Sequence, residues 1–137
     1  MRRWAATWFG IVTAAALVAA CTSNPKDEQD PNIVPANYKQ ELIGTLQKSF
    51  PYPARVRDAF VTEPALTPVG KDQRYTVCVR YNARDTETHY AGSRDKIGYF
   101  YGGHLNQLVD ATPQQCGNAA YKPFPELEKL CLAVKCF

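Results

Sequence analysis

From Tyr38 onward, apolar residues recur at every fourth position: Tyr38, Leu42, Leu46 and Phe50, with Ile43 beside them. Lys39, Gln40, Gln47 and Lys48 take the other side, so ANYKQELIGTLQKSF predicts an amphipathic helix. Pro35 suits a first turn, Asn37 suits a cap if the helix starts later, and Pro51 and Pro53 end it. Gly44 weakens this helix by ~1 kcal/mol relative to Ala. Beyond Pro53 the period changes to two. RVRDAFV (Arg55 to Val61) predicts a first strand, ended by Pro64 and Pro68. RYTVCVRYNAR (Arg74 to Arg84) has the clearest alternation: Tyr75, Val77, Val79 and Tyr81 point one way, Arg74, Thr76, Cys78, Arg80 and Asn82 the other. KIGYFY (Lys96 to Tyr101) predicts a third strand, and Gly102-Gly103 a tight hairpin into HLNQLVDA (His104 to Ala111). DTETHYAGSRD reads as a polar loop, and the tail contains a short helix from about Pro125.

These elements predict an α+β fold: an N-terminal helix packed on an antiparallel sheet of about four strands, with a disulfide-tied C-terminal segment. The helix stripe packs on the Tyr75, Val77, Val79, Tyr81 face, because helix on sheet buries two apolar faces economically.

The first residues follow neither period. Arg2 and Arg3 form a positive end, Trp4 to Ala20 is an uncharged, mostly apolar run of 17 residues, and small residues precede Cys21. This is the layout of a secretory signal peptide. The run is at the lower limit for spanning a hydrocarbon core of ~30 Å. The small residues Ala19 and Ala20 decide for cleavage over a spanning helix. TSNPKDEQDPNIVP, which follows Cys21, is polar and proline-punctuated, and predicts a flexible tether with an average span of ~20 Å. The expected organisation is a removed signal segment (1–20), an anchored tether (21–35) and one α+β domain (36–137), which suits a chain of 137 residues.

Val18-Ala19-Ala20-Cys21 resembles the lipobox of bacterial lipoproteins, an aliphatic residue and two small residues before cysteine. The resemblance implies a diacylglyceryl group on the Cys21 thiol, cleavage before Cys21, and anchoring in a membrane of the cell envelope, facing the periplasm. One acyl chain holds marginally, and two or three hold durably. Thr22 follows the cysteine instead of the Asp that resembles an inner-membrane retention signal, so the outer membrane is preferred. Arg2-Arg3 lacks the downstream pattern of a twin-arginine signal.

If Cys21 carries lipid, the cysteines left number four: Cys78, Cys116, Cys131 and Cys136. They pair in three ways, and spacing does not choose among them. The preferred pairing joins Cys78 to Cys116, from the strand face opposite the helix, and Cys131 to Cys136. The first bond ties the C-terminal segment across that face, closing a loop that contributes ~4 kcal/mol in the chain-entropy model. The second requires any helix there to end near Val134, since i, i+5 positions diverge on a helix. A zinc site is disfavoured: only one close cysteine pair exists, and an oxidising compartment favours disulfides. No cofactor is implied.

Without Arg2 and Arg3, 14 basic residues face 13 acidic ones, which argues against nucleic acid as a partner. Histidines are two, His89 and His104. A His89–Ser93 dyad shares the polar loop but lacks a nucleophile elbow or an acid partner, so the expectation is that the protein is not an enzyme. FYGGH is a turn, not a phosphate loop. Two surfaces suit binding: tyrosines such as Tyr99 and Tyr101 that stack on sugar rings, and an arginine row of Arg74, Arg80 and Arg84, with Arg57 alongside. The competing readings are cross-strand packing for the tyrosines, and pairing with Glu126 and Glu128, or simple solvation, for the arginines.

RVRDAFVTEPAL, RYTVCVRYNAR, YAG, QQC and YKPFPELEKL resemble small lipoproteins of alphaproteobacterial type, a group with no assigned activity. The resemblance covers most of residues 37 to 130. It implies a lipid-anchored single domain, supports the Cys78–Cys116 pairing, and carries no catalytic residue. The architecture also resembles that of outer-membrane assembly lipoproteins, which place helices on a small antiparallel sheet. The function expected is therefore a non-enzymatic binding or accessory module with an envelope protein or cell-wall partner, the alternative being a saccharide binder or an inhibitor of a wall-degrading enzyme.

Overall fold

Helix α1 (Tyr38–Ser49) forms where the four-residue stripe places it, in a computed structural model that describes residues 30–130. It starts after Asn37, whose side chain makes no capping bond, and Pro35 lies fully buried ahead of it. Leu42 and Leu46 are completely buried and Phe50 nearly so. They pack with Val77, Val79 and Tyr81, the predicted face of the long strand.

The strands are β1 (Tyr52–Val61), β2 (Ala65–Val69), β3 (Asp72–Arg84), β4 (Tyr90–Tyr101), β5 (His104–Asp110) and β6 (Lys122–Pro123), with short helices α2 (Pro113–Cys116) and α3 (Pro125–Glu128) flanking β6. All belong to one antiparallel sheet in the order β5-β4-β3-β1-β6, with β2 also on β3. The α+β class is as expected, but the sheet has six strands instead of about four.

The two additional strands are β2 and β6, the latter in a tail where only a short helix is expected. β2 is a segment where Pro64 and Pro68 argue against a strand. β1 and β2 run along the same edge of β3 in one direction, with Val61 opposite Val79 and Ala65 opposite Thr76. They are one long strand interrupted at residues 62–64. Pro64 has no N–H to give the ladder, and Pro68 is tolerated because β2 is an edge strand. The break is sealed locally: the Thr62 N–H donates to Cys78 O (2.9 Å), and the Cys78 N–H donates to Thr62 Oγ1 (3.0 Å). A separate correction concerns the length of β4, which starts at Tyr90 and absorbs half of the expected polar loop.

The Gly102–Gly103 turn is as expected. Both glycines have positive φ (57° and 82°), the conformation of a type I′ hairpin. β1 is bent by bulges, with positive φ at Arg55 and Asp58. The bend presents Ala59 to the tail: its N–H donates to Glu128 Oε1 (3.0 Å) and its carbonyl accepts from the Phe124 N–H (2.8 Å).

Contacts with the domain reach back to Pro31, five residues ahead of the expected start, through a bond from the Gly102 N–H to Pro31 O (3.2 Å). Among the described residues no helix is long and apolar enough to cross a membrane. Cys21, Cys131 and Cys136, and with them the expected lipid site, signal segment and second disulfide, lie outside the described residues.

Candidate functional site

The strand register decides what each predicted site residue can do. Arg74, Thr76, Cys78, Arg80 and Asn82 share the sheet face opposite α1, and Thr76, Cys78, Arg80 and Asn82 stand across from Tyr99, Ile97, Asp95 and Ser93 of β4. Cys78 is bonded to Cys116 (Cα–Cα 5.8 Å), as preferred from the strand face. The bond draws α2 onto this face, where Cys78, Ile97 and Cys116 form a second small core with Val109, Ala119 and Tyr121 around it. It also removes two of the four cysteines that a zinc site would need.

Arg80 is committed within this covered face. Its Nε and Nη2 donate to the two oxygens of Asp95 (2.6 and 2.7 Å), and its guanidinium lies 4.4 Å from the Tyr121 ring centroid. A bidentate pair stacked on an aromatic ring is structural glue, and it leaves no free fork for an anionic ligand. Tyr99 is half-buried, its hydroxyl accepting from Gln115 Nε2 (3.0 Å), while Gln115 Oε1 accepts from the Thr112 N–H (2.8 Å). Of Arg74, Arg80, Tyr99 and Tyr101, all among the expected binding residues, Arg80 and Tyr99 are thus engaged.

Arg74 and Tyr101 remain accessible at the other end of the face. The Arg74 guanidinium lies 5.4 Å from the Tyr101 ring, reaches Asp72 at 3.4 Å and donates to Gln73 O (2.7 Å). A shallow groove of about 170 Å³ runs past Arg74, Tyr99 and Tyr101 to the amides of Asn106 and Gln107. Arg57 and Arg84 do not extend the row. They lie 3.5 and 5.3 Å from the ring of Tyr90, whose hydroxyl donates to Arg55 O (2.7 Å). Glu126 and Glu128 do not pair with these arginines either: Glu126 meets Lys39 (3.4 Å), and Glu128 is taken by Ala59.

No protein-family model, curated protein or solved structure matches the chain. What the site can do is therefore argued from its own chemistry.

Each histidine meets a carboxylate. His89 Nδ1 is 2.7 Å from Asp85 Oδ1 on an exposed turn, and this bond lowers the Asp85 pKa below its ordinary value. His104 Nδ1 is 3.1 Å from Glu41 Oε1, while Glu41 Oε2 also accepts the Leu105 N–H. Glu41 thereby ties α1 to β5. Among the described residues neither histidine bonds to Ser93, and no group of three or more His, Cys, Asp or Glu converges as a metal-ligand set.

Sequence reasoning missed a recess of about 260 Å³ at the end of the sheet away from the Gly102–Gly103 turn. Its floor is Phe50, Tyr81 and Ala83, and its rim carries Arg84, Arg94 and Lys96. Asp85 also lines it and is held by His89; Lys96 is tied to Asp110 (2.7 Å). No local pattern signals this recess, since α1, β3 and β4 each contribute only part of it.

Two phenols report on the two sides of the sheet. Burial, aided by Asp110, pushes Tyr81 up to about 12. Burial and then the Asp95 carboxylate push Tyr121 up to about 12, with Arg80 acting in the opposite sense; its hydroxyl makes no hydrogen bond among the described residues. Both folded values exceed the unfolded value of ~10. The associated stability is therefore fully present below pH ~10 and is lost as pH rises through about 12. In an alkaline absorbance titration of the eight tyrosines, Tyr81→Phe and Tyr121→Phe should each remove one late-titrating phenol. Ordinary titration of both in the native state would contradict this assignment.

Proposed function

We propose that the protein is a cell-envelope lipoprotein, held on a membrane by lipid on Cys21, whose α+β domain acts as a non-enzymatic binding or accessory module. The observation that carries this reading is the Cys78–Cys116 disulfide inside a domain that follows a lipobox-like segment by nine residues. Such bonds persist in oxidising compartments, which suits a chain exported to the periplasmic side. The recess rimmed by Arg84, Arg94 and Lys96 over Phe50 and Tyr81 supports a protein partner that presents an apolar group beside a carboxylate. Arg94 matters most there, since its side chain makes no hydrogen bond or ion pair among the described residues.

A second reading, a cell-wall saccharide binder, is favoured by the groove that places Tyr99 and Tyr101 beside Arg74, Asn106 and Gln107. It offers two tyrosines, fewer than the three that a firm stacking platform would present.

A crosslinking pull-down from native membranes tests both. Wild type should recover a defined envelope protein, Arg94→Glu should lose it, and Cys21→Ser should leave the membrane fraction. Mass measurement of the same material should find acyl chains on Cys21. Recovery unchanged by Arg94→Glu removes the recess as the binding site, and wall fragments in place of a protein favour the saccharide reading. An unmodified Cys21 sinks the lipoprotein reading.

A further inference from the structure

The exposed large apolar side chains among the described residues gather at one end of the sheet. They are Ile33 (43% exposed), Val34 (59%), Leu66 (43%) and Tyr101 (46%). Tyr101 closes β4 immediately before the Gly102–Gly103 turn. The entering chain lies on that turn: the Gly102 N–H donates to Pro31 O, and a Cβ added to Gly103 would sit 3.1 Å from Ile33 Cγ2. Leu66 stands opposite Tyr75, which stands opposite Phe100, the neighbour of Tyr101. The β2–β3 turn at Gly70–Lys71 lies at this same end.

We infer that this end docks on the bilayer that holds the lipid, with Ile33, Val34, Leu66 and Tyr101 inserted at the headgroup level. The inference rests on the reading of Cys21 as the lipid site. The occupant follows from where the chain enters. Asp30 is nine residues from Cys21, so whatever path they take, this end stays within ~32 Å of the lipid. The opposite turn, at Glu87, lies a further ~40 Å away along β3. A tether this short keeps the apolar end at high effective concentration near the surface.

The chemistry fits an interface rather than a charged polymer. A tyrosine and branched aliphatics are the side chains that settle where hydrocarbon meets headgroups. Lys71 and Arg74 are matched there by Asp30 and Asp72, and Arg74 already contacts Asp72. The docking is therefore apolar, and salt should leave it in place. It turns the recess at Arg94 away from the membrane, toward the periplasm.

The chain carries two tryptophans, Trp4 and Trp8, both in the segment expected to be removed, so a new tryptophan in the mature protein is a clean probe. Full-length lipidated Tyr101→Trp and Glu87→Trp would each be reconstituted in phosphatidylcholine vesicles containing headgroup-level nitroxide lipid. Tyr101→Trp emission should fall at least ~2-fold more than that of Glu87→Trp, in low and high salt alike. Ile33→Ser with Val34→Ser should remove the difference. If Tyr101→Trp does not fold, Val34→Trp gives the same reading. Equal quenching at both ends, no quenching, or a buried but unquenched indole in the Tyr101→Trp variant (a protein or a second copy covering this end) overturns the docking. A lipidated chain without differential quenching sinks only this inference, whereas an unlipidated chain sinks the Cys21 reading with it.

Discussion

Replacing Cys78 and Cys116 together by alanine lowers the free energy of unfolding by about 4 kcal/mol, as the chain-entropy model predicts for the 38-residue separation that the bond spans. Domains of this size are stable by ~5–15 kcal/mol, so the loss is a large share of the total. Thermal midpoints should fall by ~15–30 °C. The loss has a structural side as well. Cys116 is completely buried and, with Ile97, makes most of the small core under α2. Without the bond, α2 is held on the face chiefly by Gln115 on Tyr99 and by the stacking of Tyr121 on Arg80. Denaturant unfolding of the double variant against the oxidised wild type gives the number. A loss below ~1 kcal/mol would show that this loop is already constrained in the unfolded chain.

Phe124→Ala should cost ~3–5 kcal/mol, at the upper end for a single core substitution. Phe124 is fully buried in the main core with Leu127. β6 contributes only two residue pairs to the sheet, Phe60 with Pro123 and Val61 with Lys122. So short a strand cannot hold the tail by its ladder, and the aromatic side chain must do so. The bulges at Arg55 and Asp58 bend β1 and leave both backbone groups of Ala59 facing the tail. Truncation at Phe124 opens a cavity and also releases these two bonds. Limited proteolysis should then cut between Tyr121 and Leu130, while Phe124→Leu, which keeps most of the volume, should resist. A variant as stable as wild type, with a protected tail, would mean that Leu127 and Glu128 suffice.

The helix was legible because a four-residue repeat with proline at its end has one structural meaning, and Leu42, Leu46 and Phe50 are buried as that repeat requires. β3 was legible because it lies between two cores and alternates cleanly. β2 was not, since proline forbids a central strand but tolerates an edge, and edge position is a property of the whole sheet. The first half of β4 was masked for a related reason. Asp95 points into an ion pair with Arg80 and Ser93 is exposed, so no apolar alternation marks the segment as a strand.

The candidate site divides along the same line. The sequence by itself placed Arg74, Arg80, Cys78 and Asn82 on one face, because side-chain parity along a strand is set by the local backbone. The choice of pairing partner for Cys78 was also argued from that parity. What engages each arginine was decided only by the tertiary structure. Strand register put Asp95 opposite Arg80, the disulfide brought Tyr121 over it, and Arg74 was left beside Tyr101. The recess at Arg94 and the apolar end around Ile33 belong to the same class. Each is assembled from segments distant in the chain, and periodicity, which reports only a residue's own neighbours, carries no record of which segments meet.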